Sequence, residues 1–138
     1  MQKILQWKLT ILAKLYLWKY KPMIIGVTGN SGKTSTKEII GAVVKRIKKV
    51  RIAAGNLNNE LGLPLTIIGD WDKEYYTQGS SLAFWLKVLI SGFLGLFKNK
   101  DYPEVLILEY GADQPSDIRR LAKKFKPHIS VVTTVGDI

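Results

Sequence analysis

The chain has 138 residues, no cysteine, 46% hydrophobic and 23% charged residues, the balance of one folded domain and not of a disordered tail. At this length about two-thirds of the unfolded surface can be buried, so a core forms without covalent staples, and the missing thiols exclude a disulfide-bonded secreted module and a thiolate zinc site. Charge is uneven: residues 1–51 hold twelve Lys and Arg against Glu38 alone, so the +10 excess lies in the first third and suits a polyanion such as nucleotide phosphate or anionic lipid.

Residues 2–20 read as a helix with a polar strip of Lys3, Gln6, Thr10 and Lys14, and Lys8 and Lys19 interrupt its apolar side. Pro22 ends it. Met23–Thr28 is a short β-rich run that stops at a glycine-containing turn. A second helix is expected from Lys33 or Thr34, with Ile39, Ile40, Val43, Val44 and Ile47 as its apolar stripe, closing in the basic cluster Lys45, Arg46, Lys48, Lys49 and Arg51. Val50–Ala54 is expected to be a second strand.

Residues 55–64, GNLNNELGLP, read as a loop with room for one helical turn. Residues 65–81 carry no decisive pattern. Residues 82–97, LAFWLKVLISGFLGLF, are helical in character despite Gly92 and Gly95; this run contains Lys87 and is shorter than the roughly 20 residues that span a bilayer. Glu104–Glu109 is a continuous apolar run between Pro103 and Gly111, the pattern of a buried parallel strand. Ser116–Phe125 reads as a helix with Ile118, Leu121, Ala122 and Phe125 on one side, and Ile129–Val135 as a last strand. Strands alternating with helices define an α/β fold, a mostly parallel sheet covered on both faces. The N-terminus lacks a cleavage site of small residues, so a cytoplasmic location is expected.

The strongest local signal is the run from Gly26 to Thr36, GVTGNSGKTST, between an expected strand and an expected helix. Glycines let successive amides turn toward phosphate oxygens, and the helix start offers its positive end to the same anion. Lys33 would reach the outer phosphates and the Thr34 hydroxyl would bind Mg²⁺. The general pattern G-x-x-x-x-G-K-[ST] needs glycine where Val27 stands, and the spacing of Gly26, Gly29 and Gly32 does not fit the dinucleotide fingerprint. Glu109 closes its strand at the edge where open parallel sheets collect ligands, and a carboxylate there can hold Mg²⁺.

Taken in order, TGNSGKTS at 28–35, GNLNNELGLPLT at 55–66 and LEYGAD at 108–113 resemble the central ATP-binding domain of the Mur ligases. The phosphate loop of that family also lacks the upstream glycine. The resemblance implies a P-loop NTPase-like α/β domain and an ATP-dependent amide-bond ligase of peptidoglycan precursor synthesis working through an acyl phosphate. The middle motif looks like that of the member that adds D-alanyl-D-alanine to a UDP-N-acetylmuramoyl tripeptide. Carried over by position, Gly29, Asn30, Ser31, Gly32, Lys33, Thr34 and Ser35 hold ATP, Lys33 is the catalytic lysine, and Thr34 and Glu109 serve Mg²⁺. Asn56, Asn58 and Asn59 line the substrate side, their alternative role being capping and turn formation.

On this reading residues 1–22 are a basic amphipathic helix and 23–138 the N-terminal part of a Mur ligase-like ATP-binding domain. The first domain, the metal histidine, the carbamoylated lysine and the last domain of the family have no counterpart here, so the chain is expected to be a piece of a longer ligase with later strands of its sheet absent. His128, the only histidine, is read as a surface or loop residue. Three alternatives remain: another P-loop ATPase or small kinase, a folylpolyglutamate synthase-like ligase, and a non-catalytic nucleotide-binding or membrane-surface module. In the last, residues 1–21 lie on anionic lipid with Trp7, Tyr16, Trp18 and Tyr20 at the interface. Nucleic acid is not expected as a partner, since the cluster at 45–51 is compact and no aromatic stacking pattern accompanies it.

Overall fold

The computed structural model describes residues 2–98 and 101–136; Asp137 and Ile138, the end of the expected domain 23–138, lie outside the described residues. Helix α1 runs Gln2–Tyr20 and leaves through Lys21, whose φ of 48° is a left-handed exit before Pro22. Strand β1 (Met23–Thr28) feeds a glycine turn and helix α2 (Lys33–Val44), and β2 (Val50–Ile52) follows. Three helices come next, α3 (Gly62–Ile68), α4 (Asp72–Gln78) and α5 (Leu82–Gly95), then β3 (Val105–Glu109), α6 (Asp117–Lys124) and β4 (Ile129–Val132).

The four strands form one sheet in the order β2-β3-β1-β4, every pair parallel. Val27 lies opposite Glu109, and Thr28 opposite Val132. This register brings the carboxyl ends of β1, β3 and β4 level, with the turn after β1 between its two neighbours. Both faces of β1 and β3 are covered, as continuous apolar strands require, whereas β4 is largely exposed. Ile24, Leu106 and Leu108 face α1, α3, α5 and α6 through Leu9, Leu63, Phe84 and Leu121, while Ile25, Val27, Val105 and Ile107 face α2 through Ile40 and Val44.

The α/β architecture and the positions of α1, β1, β3 and α5 agree with the sequence expectation, and four details differ. The face α2 turns to the sheet is Lys37, Ile40, Gly41 and Val44, whereas Ile39, Val43 and Ile47 are exposed. The reason is close approach: a Cβ on Gly41 would lie 2.1 Å from Ile52 Cδ1, so a glycine lets the helix sit there without displacing the Ile52 side chain. The segment around 62–68 is a helix buried along its whole length; Pro64 is tolerated because it lies in the first turn, where no amide is needed. The last strand ends at Val132: Thr133 still donates its amide to Thr28 O, but its hydroxyl and Thr134 are engaged by the glycine turn. Of the α1 aromatics, Tyr16 is buried with its hydroxyl donating to Gly92 O at 2.7 Å, and Tyr20 stacks on Tyr102 at 4.4 Å, so both tyrosines point inward.

Candidate functional site

The turn from Thr28 to Lys33 owes its shape to two glycines and to a distant segment. Gly29 has φ 136° and Gly32 φ 78°, conformations that other residues adopt only under strain. A Cβ on Gly29 would also meet Thr133 Oγ1 at 2.1 Å. Gly26 is glycine for another reason, since a Cβ there would meet Tyr110 Cε2 at 2.8 Å. Tyr110 is itself fixed, its hydroxyl donating to Phe125 O at 2.5 Å, and burial pushes this phenol up.

The residues after β4 clamp the turn from outside. Asn30 N–H donates to Thr134 O at 2.9 Å, Ser31 N–H to Thr134 Oγ1 at 3.2 Å, and Thr133 Oγ1 donates to Ser31 O at 2.6 Å. On the other side Thr28 Oγ1 donates to Tyr110 O at 2.8 Å, tying the end of β1 to the residue after Glu109. Gly32 precedes helix α2 with no side-chain cap, so the amides of its first turn have no capping side chain, the arrangement that suits an anion. Lys33 Nζ lies over the turn and donates to Gly29 O at 2.8 Å; among the described residues no carboxylate pairs with it. Thr34 and Ser35 are exposed in the same first turn.

Four residues after Lys33, on the same side of α2, Lys37 is buried. Its Nζ donates to Glu109 Oε2 at 2.9 Å and to Gly55 O at 3.2 Å, and the two side chains are 0% and 3% exposed. Asn58 Nδ2 donates to the other oxygen, Glu109 Oε1, at 3.3 Å, and Asn58 O accepts Gly111 N–H at 2.8 Å. The loop 55–61 is thereby fastened to the carboxyl end of β3. A small cleft of about 70 Å³ opens beside it, bordered by Asn58, Asn59, Gly111 and Asp113.

The three asparagines divide their work. Asn59 Oδ1 accepts the amides of Leu61 and Gly62 at 3.0 and 2.9 Å, capping α3. Asn58 orients Glu109. Asn56 is exposed, and its backbone amide donates to Tyr76 Oη at 2.9 Å. His128 is exposed, and its Nδ1 accepts Ile24 N–H at 2.9 Å, which gives it a partner at the opposite end of β1. Lys37 was absent from the sequence expectation; its signal was its place one helical turn after Lys33, in line with an acid that ends a buried strand.

A glycine turn, an uncapped helix start and a lysine that no carboxylate pairs with among the described residues stand together at the carboxyl edge of a parallel α/β sheet, a geometry suited to an anion. Residues 27–76 match the Mur ligase middle domain, and over that stretch the chain is similar to the Mur ligases. It is similar to the UDP-N-acetylmuramoyl-tripeptide–D-alanyl-D-alanine ligase of Bacillus subtilis, 30% identical over 126 residues that make up 91% of this chain and 21% of that protein. The fold matches the MurF ligase of Thermotoga maritima solved with ADP, with a TM-score of 0.62 and 32% identity over 93% of this chain and 23% of that one. It also matches the corresponding D-alanyl-D-alanyl ligase of Acinetobacter baumannii, with a TM-score of 0.64, 25% identity and coverage of 94% and 23%. The chain thus spans about a fifth of the length of the curated relatives it matches.

Proposed function

We propose that this chain is the nucleotide-binding part of an ATP-dependent ligase that adds D-alanyl-D-alanine to a UDP-N-acetylmuramoyl tripeptide in peptidoglycan precursor synthesis. The observation that carries the reading is the juxtaposition of Lys33 over the glycine turn with Glu109 on the neighbouring strand end, where Asn58 of the loop 55–61 donates to it. The relatives' names supply the reaction class.

When bound, ATP supplies the phosphoryl group that activates a substrate carboxylate. Gly29, Asn30, Ser31 and Gly32 shape the cradle for its phosphates, and the first-turn amides of α2, including those of Thr34 and Ser35, complete it. Lys33 exchanges a neutral carbonyl for phosphate oxygens and lowers the repulsion between two anionic reactants. Thr34 and Glu109 are the residues that would hold Mg²⁺, whose preference for hard oxygen donors they meet. A carboxylate offers about four lone-pair positions, and Lys37 and Asn58 together engage one on each oxygen of Glu109, so a metal can share it. Asn56 and Asn58 face the substrate side, with Asn59 supporting the loop from its cap position.

Thermal unfolding with and without magnesium-ATP tests this. Saturation a hundredfold above Kd adds about 2.7 kcal/mol, a rise of several degrees in Tm. Lys33→Ala removes that rise while leaving the ligand-free Tm nearly unchanged, because the side chain's protein partner is one carbonyl of its own turn. Equal rises in both proteins would overturn the nucleotide site.

A further inference from the structure

We propose that the outer faces of α1 and α5 form a docking surface for an anionic lipid bilayer. Helix α1 is apolar on two sides. Leu9, Leu12, Ala13 and Tyr16 are buried in the core, while Ile4, Trp7, Ile11, Leu15 and Trp18 are exposed, Trp7 by 63% and Trp18 by 76%. At about 100° per residue, this second stripe lies opposite the first. Lys3 and Lys14 border it on one side and Lys8 and Lys19 on the other, so the lysines that interrupt the apolar pattern are the margins between two apolar faces.

Helix α5 repeats the arrangement. Phe84, Trp85, Val88 and Gly92 are buried, and Leu82, Leu86, Ile90, Phe93 and Phe97 form an exposed stripe along α5 and the residues just after it. The two helices run side by side in the same direction, with Leu5 near Trp85 and Leu86, Tyr16 bonded to Gly92 O, and Lys19 bonded to Leu96 O. The stripes meet in a groove of about 450 Å³ to which Ile4, Leu82 and Leu86 all contribute. An exposed apolar surface of this extent marks an interaction site.

Charge selects the occupant. Residues 2–21 and 82–98 contain no acidic residue, and Glu74 of α4, which reaches Lys87 at 2.7 Å, is neutralised there. Lysines whose stems flank an apolar stripe place their ammonium groups at headgroup level while the stripe enters the acyl boundary, and tryptophans near both ends of α1 suit the same depth. The surface draws on neither Lys33 nor Glu109, so it stands apart from the nucleotide reading.

Cosedimentation of the purified chain with phosphatidylcholine vesicles, with and without phosphatidylglycerol, tests the proposal. Binding is expected to the anionic vesicles only, with a blue shift of tryptophan emission, and to fall about fivefold for each of Lys3 and Lys14 replaced by Gln. Trp7→Ser/Trp18→Ser abolishes it without changing Tm, since both side chains lie outside the core, and Lys33→Ala leaves it intact. No binding to the anionic vesicles, or equal binding to neutral ones, overturns the proposal. So does a dimer by sedimentation equilibrium that Trp7→Ser/Trp18→Ser converts to monomer, because the occupant is then a second copy.

Discussion

Lys37 and Glu109 form a buried ion pair, Nζ to Oε2 at 2.9 Å, that joins the helix after the glycine turn to the strand beside it. Because Lys37 also holds Gly55 O and Glu109 also holds Asn58, three segments distant in sequence meet at this pair. Removing one partner leaves a buried charge alone. Lys37→Met or Glu109→Gln is expected to cost about 3–5 kcal/mol, and the double substitution less than the sum of the singles. Urea unfolding of the four proteins measures the coupling; strict additivity would mean that the pair does not act as a unit.

The glycine turn gives a second expectation. Gly32→Ala places a side chain at φ 78° with its nearest neighbour, Thr133 Cβ, 4.0 Å away, so strain alone acts and the loss is about 1–2 kcal/mol. Gly29→Ala combines φ 136° with a collision against Thr133 and should cost more. Denaturation midpoints in the reverse order would show that the clamp from Thr133 yields easily.

Asn59 separates capping from substrate binding. Asn59→Ala should lower stability by about 1 kcal/mol, and Asn59→Asp or Asn59→Ser should restore most of it, since each supplies an oxygen to the first amides of α3. Chemical denaturation of the three variants is sufficient; a full-size loss in all of them would place the role of Asn59 in its amide nitrogen.

Alkaline pH offers a test of the aromatic core. Burial raises the phenols of Tyr16, Tyr102 and Tyr110 above their ordinary 10.0, with the neighbouring Tyr20 adding to the effect at Tyr16. The folded chain therefore keeps protons that the unfolded chain releases, so their contribution is complete below about pH 10 and is lost as pH rises toward the folded values. Phenolate absorbance from at least three of the six tyrosines should appear together with loss of near-ultraviolet circular dichroism. Full ionisation with the fold intact would contradict the burial.

The sequence disclosed what is local. Strand, glycine turn and Lys33 are consecutive, and the all-apolar β3 announced both its burial and its terminal Glu109. Helix α3 was hidden because it is buried all round and so shows no periodicity. The working face of α2 was legible in part: Ile40 and Val44 of the expected stripe pack on the sheet, but the face also contains a lysine and a glycine, and Ile39, Val43 and Ile47 are exposed. Nothing near Ser31 in the chain points to Thr133 or Thr134, and Lys37 acquires its meaning only once β3 lies beside α2.

The clamp on the glycine turn has a consequence for biosynthesis. The turn leaves the ribosome early, yet the hydroxyls and carbonyl that shape it belong to residues about a hundred positions later. A nascent polypeptide carrying Lys33 therefore lacks the partners that hold the turn in this shape until translation has passed Thr134, although the motif itself is made early.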